Sequence, residues 1–106
     1  MRYISERSND PGLLVLSSLA EGPKHGYAIT RDVEEMSGVR LGPGTLYGAL
    51  ARLEGSGMIE ALAAEGRRRP YRITAAGAMA LEEQLQVLGR VVDIGLGRLR
   101  AAGASA

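Results

Sequence analysis

The C-terminal stretch constrains the fold more than any other feature. From Ala75 to Leu99 the residues sort onto faces when each is advanced by about 100°. Leu81, Leu85, Leu88, Val92, Leu96 and Leu99 form one apolar stripe, and Val87, Val91 and Ile94 form a second beside it. Glu82, Glu83, Gln86, Arg90 and Asp93 share the opposite arc. The spacing predicts a protruding helix about 37 Å long. Its apolar arc is about 200° wide, roughly twice what a helix lying on one small domain needs. Such a face is buried either inside its own subunit or against a partner helix from a second chain. The second is the expectation, because the ~70 preceding residues form only a small unit. Gly89, Gly95 and Gly97 are costly in a helix interior and mark either a bend or a close approach of two helices. Residues 101–106 are small and expected to fray.

Composition narrows the function classes. With 106 residues the chain is bounded to one compact domain, with room for one protruding element. The absence of Cys excludes disulfides, zinc ribbons, iron–sulfur clusters and thiol nucleophiles. A single histidine, His25, excludes a multi-His metal site, and no cofactor is expected. Apolar runs are too short to span a membrane, and the opening MRYISERSNDPG lacks the apolar stretch of a signal peptide. A soluble cytoplasmic protein is the expectation. Four Tyr are the only aromatic residues, so the core must be built from Leu, Ile, Val, Met and Ala.

Ahead of the long helix, the pattern reads helix, helix, helix, hairpin. Asp10 and Pro11 suit a cap and a first helical position, followed by Leu13, Leu14, Leu16 and Leu19 at helical spacing and a stop at Glu21-Gly22-Pro23. A second helix is predicted from about Lys24 to Ser37, with Ile29, Val33 and Met36 on one face and Gly38 as its end. A third opens at Gly42-Pro43-Gly44-Thr45, buries Leu46, Ala49, Leu50 and Leu53, and ends at Gly55-Ser56-Gly57. Met58–Leu62 and Pro70–Ile73 read as two strands of a hairpin around Glu65-Gly66-Arg67-Arg68-Arg69. Thr74 caps the long last helix.

Charge is unevenly distributed. Residues 1–36 hold four basic and six acidic groups, residues 37–81 six basic and three acidic, and residues 82–106 three of each. The overall +1 therefore conceals a +3 segment spanning the third helix and hairpin. Positive charge there can displace counterions from phosphates, although an Arg-rich turn can equally be an ordinary solvated loop.

Several motifs stand in a fixed order: His25-Gly26-Tyr27-Ala28-Ile29; Gly44-Thr45-Leu46-Tyr47, with Leu50, Leu53 and Glu54 following; and Tyr71-Arg72-Ile73-Thr74-Ala75-Ala76-Gly77. Over about residues 11–81 this series resembles the PadR family of winged-helix transcriptional regulators. The resemblance implies a mainly α fold with a small β-hairpin, a winged helix-turn-helix plus a long C-terminal dimerisation helix. On that reading residues 1–9 are a flexible arm, 10–74 the DNA-binding domain, 75–100 the dimerisation helix and 101–106 a frayed tail. The family usually carries Ser or a similar residue where Gly42 stands, so the cap of the third helix is weaker here.

If the second and third helices form a helix-turn-helix, the third lies in the major groove. Gly44, Thr45, Tyr47, Gly48 and Arg52 then face outward or sideways. Thr45 and Tyr47 supply hydroxyls for backbone positioning, although Tyr47 could instead pack in the core and Thr45 serve as a cap. Gly44 and Gly48 let the duplex approach, and Arg52 reads a guanine edge or meets a phosphate. Lys24, His25 and Tyr27 sit where such proteins touch the backbone. The resemblance further implies that Tyr71 and the wing residues Arg67, Arg68 and Arg69 approach phosphates. Leu81, Leu85, Leu88, Val91, Val92, Ile94, Leu96 and Leu99 are the expected dimer interface.

The expected partners are double-stranded DNA with a roughly palindromic operator, a second copy of the chain, and an unidentified small-molecule effector. The last helix has no aromatic residue, so a stacking pocket between two such helices is not expected. An enzyme is disfavoured because no nucleophile, base and orienting group are brought together. A dimerisation or adaptor module that kept the fold without binding DNA is the remaining alternative, and the basic hairpin argues against it.

Overall fold

The computed structural model describes residues 10–105. The expected N-terminal arm at residues 1–9, with Tyr3, lies outside the described residues. Three short helices lead into a hairpin and a long helix. Helix α1 spans Pro11–Leu19, and its cap Asp10 accepts a hydrogen bond from the Gly12 N–H. Strand β1, Lys24–His25, leads directly into α2, Gly26–Ser37. Gly38 closes α2 in the left-handed conformation at φ 77°, its N–H on the Glu34 carbonyl. Helix α3 spans Pro43–Gly55 behind the cap Gly42, which makes no side-chain hydrogen bond. Strands β2, Ile59–Ala61, and β3, Pro70–Ile73, form the hairpin, and α4 runs Ala75–Ser105.

The core is aliphatic, as a chain without Phe or Trp requires. Leu13, Leu14, Val15, Leu16 and Leu19 of α1 meet Ile29 and Val33 of α2 and Leu46, Ala49, Leu50 and Leu53 of α3, with Ile59 beneath them. Helix α1 is the hub, packing against α2, α3, α4 and β3. Met36 departs from the expected face: burial on α2 stops at Val33, and Met36 is exposed.

Two further departures matter for function. The sheet has three strands in the order β1-β3-β2, not two. Lys24 and His25 pair with Tyr71 and Pro70, so residues expected in the second helix form an edge strand on the wing. In addition, α4 does not end near residue 100. It continues to Ser105, because Ala101 and Ala102 are strong helix formers and nothing in the segment breaks the ladder. At 31 residues it is about 46 Å long.

The root of α4 is tightly fixed. Thr74 accepts from the Gly77 N–H at 3.1 Å, donates its hydroxyl to the Gly57 carbonyl at 2.7 Å, and sends its own N–H to the Met58 carbonyl at 3.0 Å. A Cβ on Gly77 would lie 2.0 Å from the Met58 oxygen, so only glycine lets helix and hairpin meet this closely. Leu81, expected on a partner, is instead 5% exposed in the core of its own subunit. Leu88 is half-buried against the same core. Leu85 and Val87 between them are exposed, and beyond Leu88 the helix leaves the domain with Val91, Val92, Ile94, Leu96 and Leu99 exposed.

Candidate nucleic-acid interface

Strand β1 carries the site because it joins the wing to the helix-turn-helix. Pairing of His25 with Pro70 brings the start of α2 beside the hairpin. His25 caps α2, its Nδ1 accepting from the Ala28 N–H at 3.5 Å. The next residue, Gly26, is buried under α3: a Cβ there would stand 2.9 Å from the Tyr47 hydroxyl and 3.4 Å from a Leu46 methyl. Tyr47 thus reaches across the first turn of α2, and Gly26 makes room for it.

One open groove of about 360 Å³ is lined by His25, Gly26, Tyr27, Tyr47, Arg67, Arg68, Arg69 and Tyr71. It collects residues from β1, α2, α3, the hairpin turn and β3, and no carboxylate among the described residues lines it. Tyr27 and Tyr47 are 65% and 57% exposed, so neither is a core residue, whereas Tyr71 is half-buried against the core. Side chains that offer hydroxyls and positive charge on a concave surface suit a polyanion.

The three wing arginines differ in what already holds them. Arg69 donates to the Leu62 carbonyl at 2.9 Å and pins the turn. Arg68 lies 3.5 Å from the Nε2 atom of His25. Arg67 is exposed and has no side-chain partner among the described residues. Their neighbour Arg72 is ion-paired with Glu60 across the hairpin.

Helix α3 presents Gly44, Thr45, Tyr47 and Arg52 on its exposed side, while Leu46, Ala49, Leu50 and Leu53 face the core. The Thr45 hydroxyl makes no hydrogen bond among the described residues, so it is not a cap. A Cβ on the half-buried Gly48 would stand 3.4 Å from Arg52 Nη1. Arg52 therefore lies back over Gly48 toward the start of α3, which offsets its position deeper in the helix.

Lys24 is the residue the structure withdraws from the interface. Its ammonium donates to the Ser18 carbonyl, lies 2.8 Å from Glu21 and 3.6 Å from Asp32, and its side chain is 15% exposed. With three internal acceptors it ties the end of α1 to α2 and is not offered to phosphate. Two residues had escaped sequence reasoning. Gly26 is one, and its signal was the small residue wedged between His25 and Tyr27. Gly77 is the other, present in the motif but without an assigned task.

The PadR-like transcriptional regulator family matches over residues 15–83. A transcriptional regulator of Mycobacterium tuberculosis is 40% identical over 79 residues, covering 72% of this chain and 73% of its own length. An uncharacterised 37.1 kDa protein in transposon TN4556 of Streptomyces fradiae is 51% identical over 85 residues, covering 80% of this chain. The match spans only 25% of that relative's length. Among solved structures, a PadR family transcriptional regulator from Eggerthella lenta superposes with a TM-score of 0.72 at 31% identity, over 92% of this chain and 88% of the other. A family match over more than half of the sequence and a relative 40% identical over most of both chains place it plainly: the chain belongs to the PadR-like family of transcriptional regulators.

Proposed function

We propose that the chain acts as a homodimer that binds a roughly palindromic DNA operator and represses transcription until a signal releases it. The observation that carries this reading is the carboxylate-free groove in which His25, Tyr27, Tyr47, Tyr71 and the wing arginines converge beside the exposed start of α3. In this reading α3 enters the major groove, with Thr45 and Tyr47 on the phosphates that flank it. Gly44 and Gly48 keep the helix surface low, and Arg52 reaches a guanine edge, where a guanidinium bonds O6 and N7 together. Arg67 and Arg68 on the wing meet the neighbouring backbone.

A second copy is the partner proposed for α4. From Leu85 outward it exposes Leu85, Val91, Val92, Ile94, Leu96 and Leu99, a surface that association would remove from water. Residues 82–106 carry three charges of each sign, so two such helices do not repel. Pairing sets two recognition helices on successive turns of one face, about 34 Å apart. An operator so occupied is closed to polymerase. An effector would act by favouring a different angle between the two winged units, since only differential affinity for two arrangements shifts binding.

The test is a mobility shift with duplex DNA across a range of salt concentrations. Binding that weakens steeply with salt is expected. Absence of binding in low salt, or affinity indifferent to salt, would leave the adaptor reading instead.

A further inference from the structure

We propose that Thr74 is a positioning residue that fixes the spacing of the two operator half-sites, by tying the end of the recognition helix α3 to the root of the pairing helix α4. This rests on the paired, DNA-binding reading above and adds what holds its two halves at one separation.

The tie starts inside α3. The carbonyls of a last helical turn have no partner within the helix, and here the corner that follows takes them up. Ser56 sends its N–H and its hydroxyl to the Arg52 carbonyl at 3.0 and 2.9 Å. Met58 sends its N–H to the Leu53 carbonyl at 2.9 Å, and Gly57 its N–H to the Glu54 carbonyl at 3.0 Å. Gly57 turns the chain in the left-handed conformation at φ 76°, which glycine adopts without a steric penalty. The corner then offers its own carbonyls to Thr74. The Gly57 oxygen accepts the Thr74 hydroxyl at 2.7 Å, and the Met58 oxygen accepts the Thr74 N–H at 3.0 Å. The same hydroxyl oxygen accepts the Gly77 N–H at 3.1 Å in the first turn of α4. One side chain thus closes a run of hydrogen bonds that begins at Arg52 and ends at Gly77, and the tight fit of Gly77 on the Met58 carbonyl leaves no slack in it.

Thr74 does more here than a cap requires. A cap accepts from the N–H groups of its own helix, and the Gly77 bond meets that need. Donation to Gly57, seventeen positions back and exposed, serves α4 in no such way, and water satisfies an exposed carbonyl equally well. What the bond adds is a fixed angle between two helices. In the reading above α3 enters the major groove and α4 meets the second copy, so that angle, repeated in both protomers, sets the distance and rotation between the half-sites. One base pair inserted between them moves one half-site by about 3.4 Å and turns it by about 35° around the duplex. A protomer follows only by yielding at this corner or along α4.

The test measures binding of the full chain to four duplexes. Three carry the inverted half-sites at the separation recovered by selection, one base pair closer and one base pair farther; the fourth carries a single half-site. Thr74→Asp keeps a strong capping acceptor for α4 but has no hydrogen to donate to Gly57, whereas Thr74→Ser keeps both functions. The wild type and Thr74→Ser should prefer the selected spacing by ~10-fold or more, the scale of one mismatched base pair. Thr74→Asp should bind the three spacings alike within ~3-fold, hold the single half-site as the wild type does, and select the same half-site sequence. A Thr74→Asp chain as strict in spacing as the wild type, or weakened equally on all four duplexes, would overturn the role of Thr74. So would a Thr74→Ser chain as tolerant as Thr74→Asp, an altered half-site sequence, or a wild type indifferent to spacing, and each leaves the DNA-binding reading intact. A wild type that binds no duplex, or recovers only isolated half-sites, would overturn both.

Discussion

Gly77 is where α4 is fastened to the winged unit, and Gly77→Ala should loosen that joint. The added Cβ would sit 2.0 Å from the Met58 carbonyl oxygen and 2.9 Å from its carbon. An ordinary carbon–oxygen contact is about 3.3 Å, so helix and hairpin must part by roughly 1 Å. That movement strains the Thr74 N–H bond to Met58, worth about 1 kcal/mol. It also disturbs the Thr74 cap, worth about 1 kcal/mol. Leu81, now 5% exposed, would lose part of its burial, about 1.5 kcal/mol. Alanine returns about 1 kcal/mol of helix propensity, which leaves a net destabilisation of roughly 2.5 kcal/mol. Urea unfolding at fixed protein concentration reads this directly, since the stability of an associating chain varies with concentration. Gly89→Ala is the control: nothing lies within 4 Å of its Cβ position, and it should gain up to ~1 kcal/mol. If Gly77→Ala is as stable as the wild type, the close contact does not organise the joint.

Other perturbations separate the roles of individual side chains. Arg67→Ala removes the wing arginine that has no side-chain partner among the described residues. It should flatten the plot of log affinity against log salt by about 0.9 for each phosphate released; an unchanged slope takes this residue out of the interface. Lys24→Met should cost about 2 kcal/mol of stability by orphaning Asp32 and the Ser18 carbonyl and leave the salt slope as it was. A flatter slope would return Lys24 to the phosphates. Leu85→Glu combined with Val92→Glu should give monomers in sedimentation, and a persisting dimer would contradict the assignment of the outer half of α4.

Most of the helical architecture was legible because its signals are local. Asp10, Pro11, Gly38, Pro43 and Thr74 mark boundaries through their own backbone and capping chemistry, and each stands where the structure begins or ends a helix. Strand β1 was not legible. Two residues cannot display a period, and their strand character comes only from pairing with Pro70 and Tyr71, more than forty positions away. The same distance hid the fate of Lys24, whose acceptors are fixed by packing of α1 on α2. Leu81 and Leu85 share a stripe in the sequence yet part company in the fold. Periodicity reports a face of the helix, not how far along its axis the domain extends. Tyr47 illustrates the converse: core and surface were both open from sequence, and exposure together with the space over Gly26 decides for the surface.

The proposal that two winged units read one DNA site is tested most directly by selecting bound duplexes from a random pool with the full chain. An inverted repeat should emerge, with half-site centres one helical turn apart, about 34 Å along the duplex. Recovery of isolated single half-sites, or no enrichment at low salt, would contradict it.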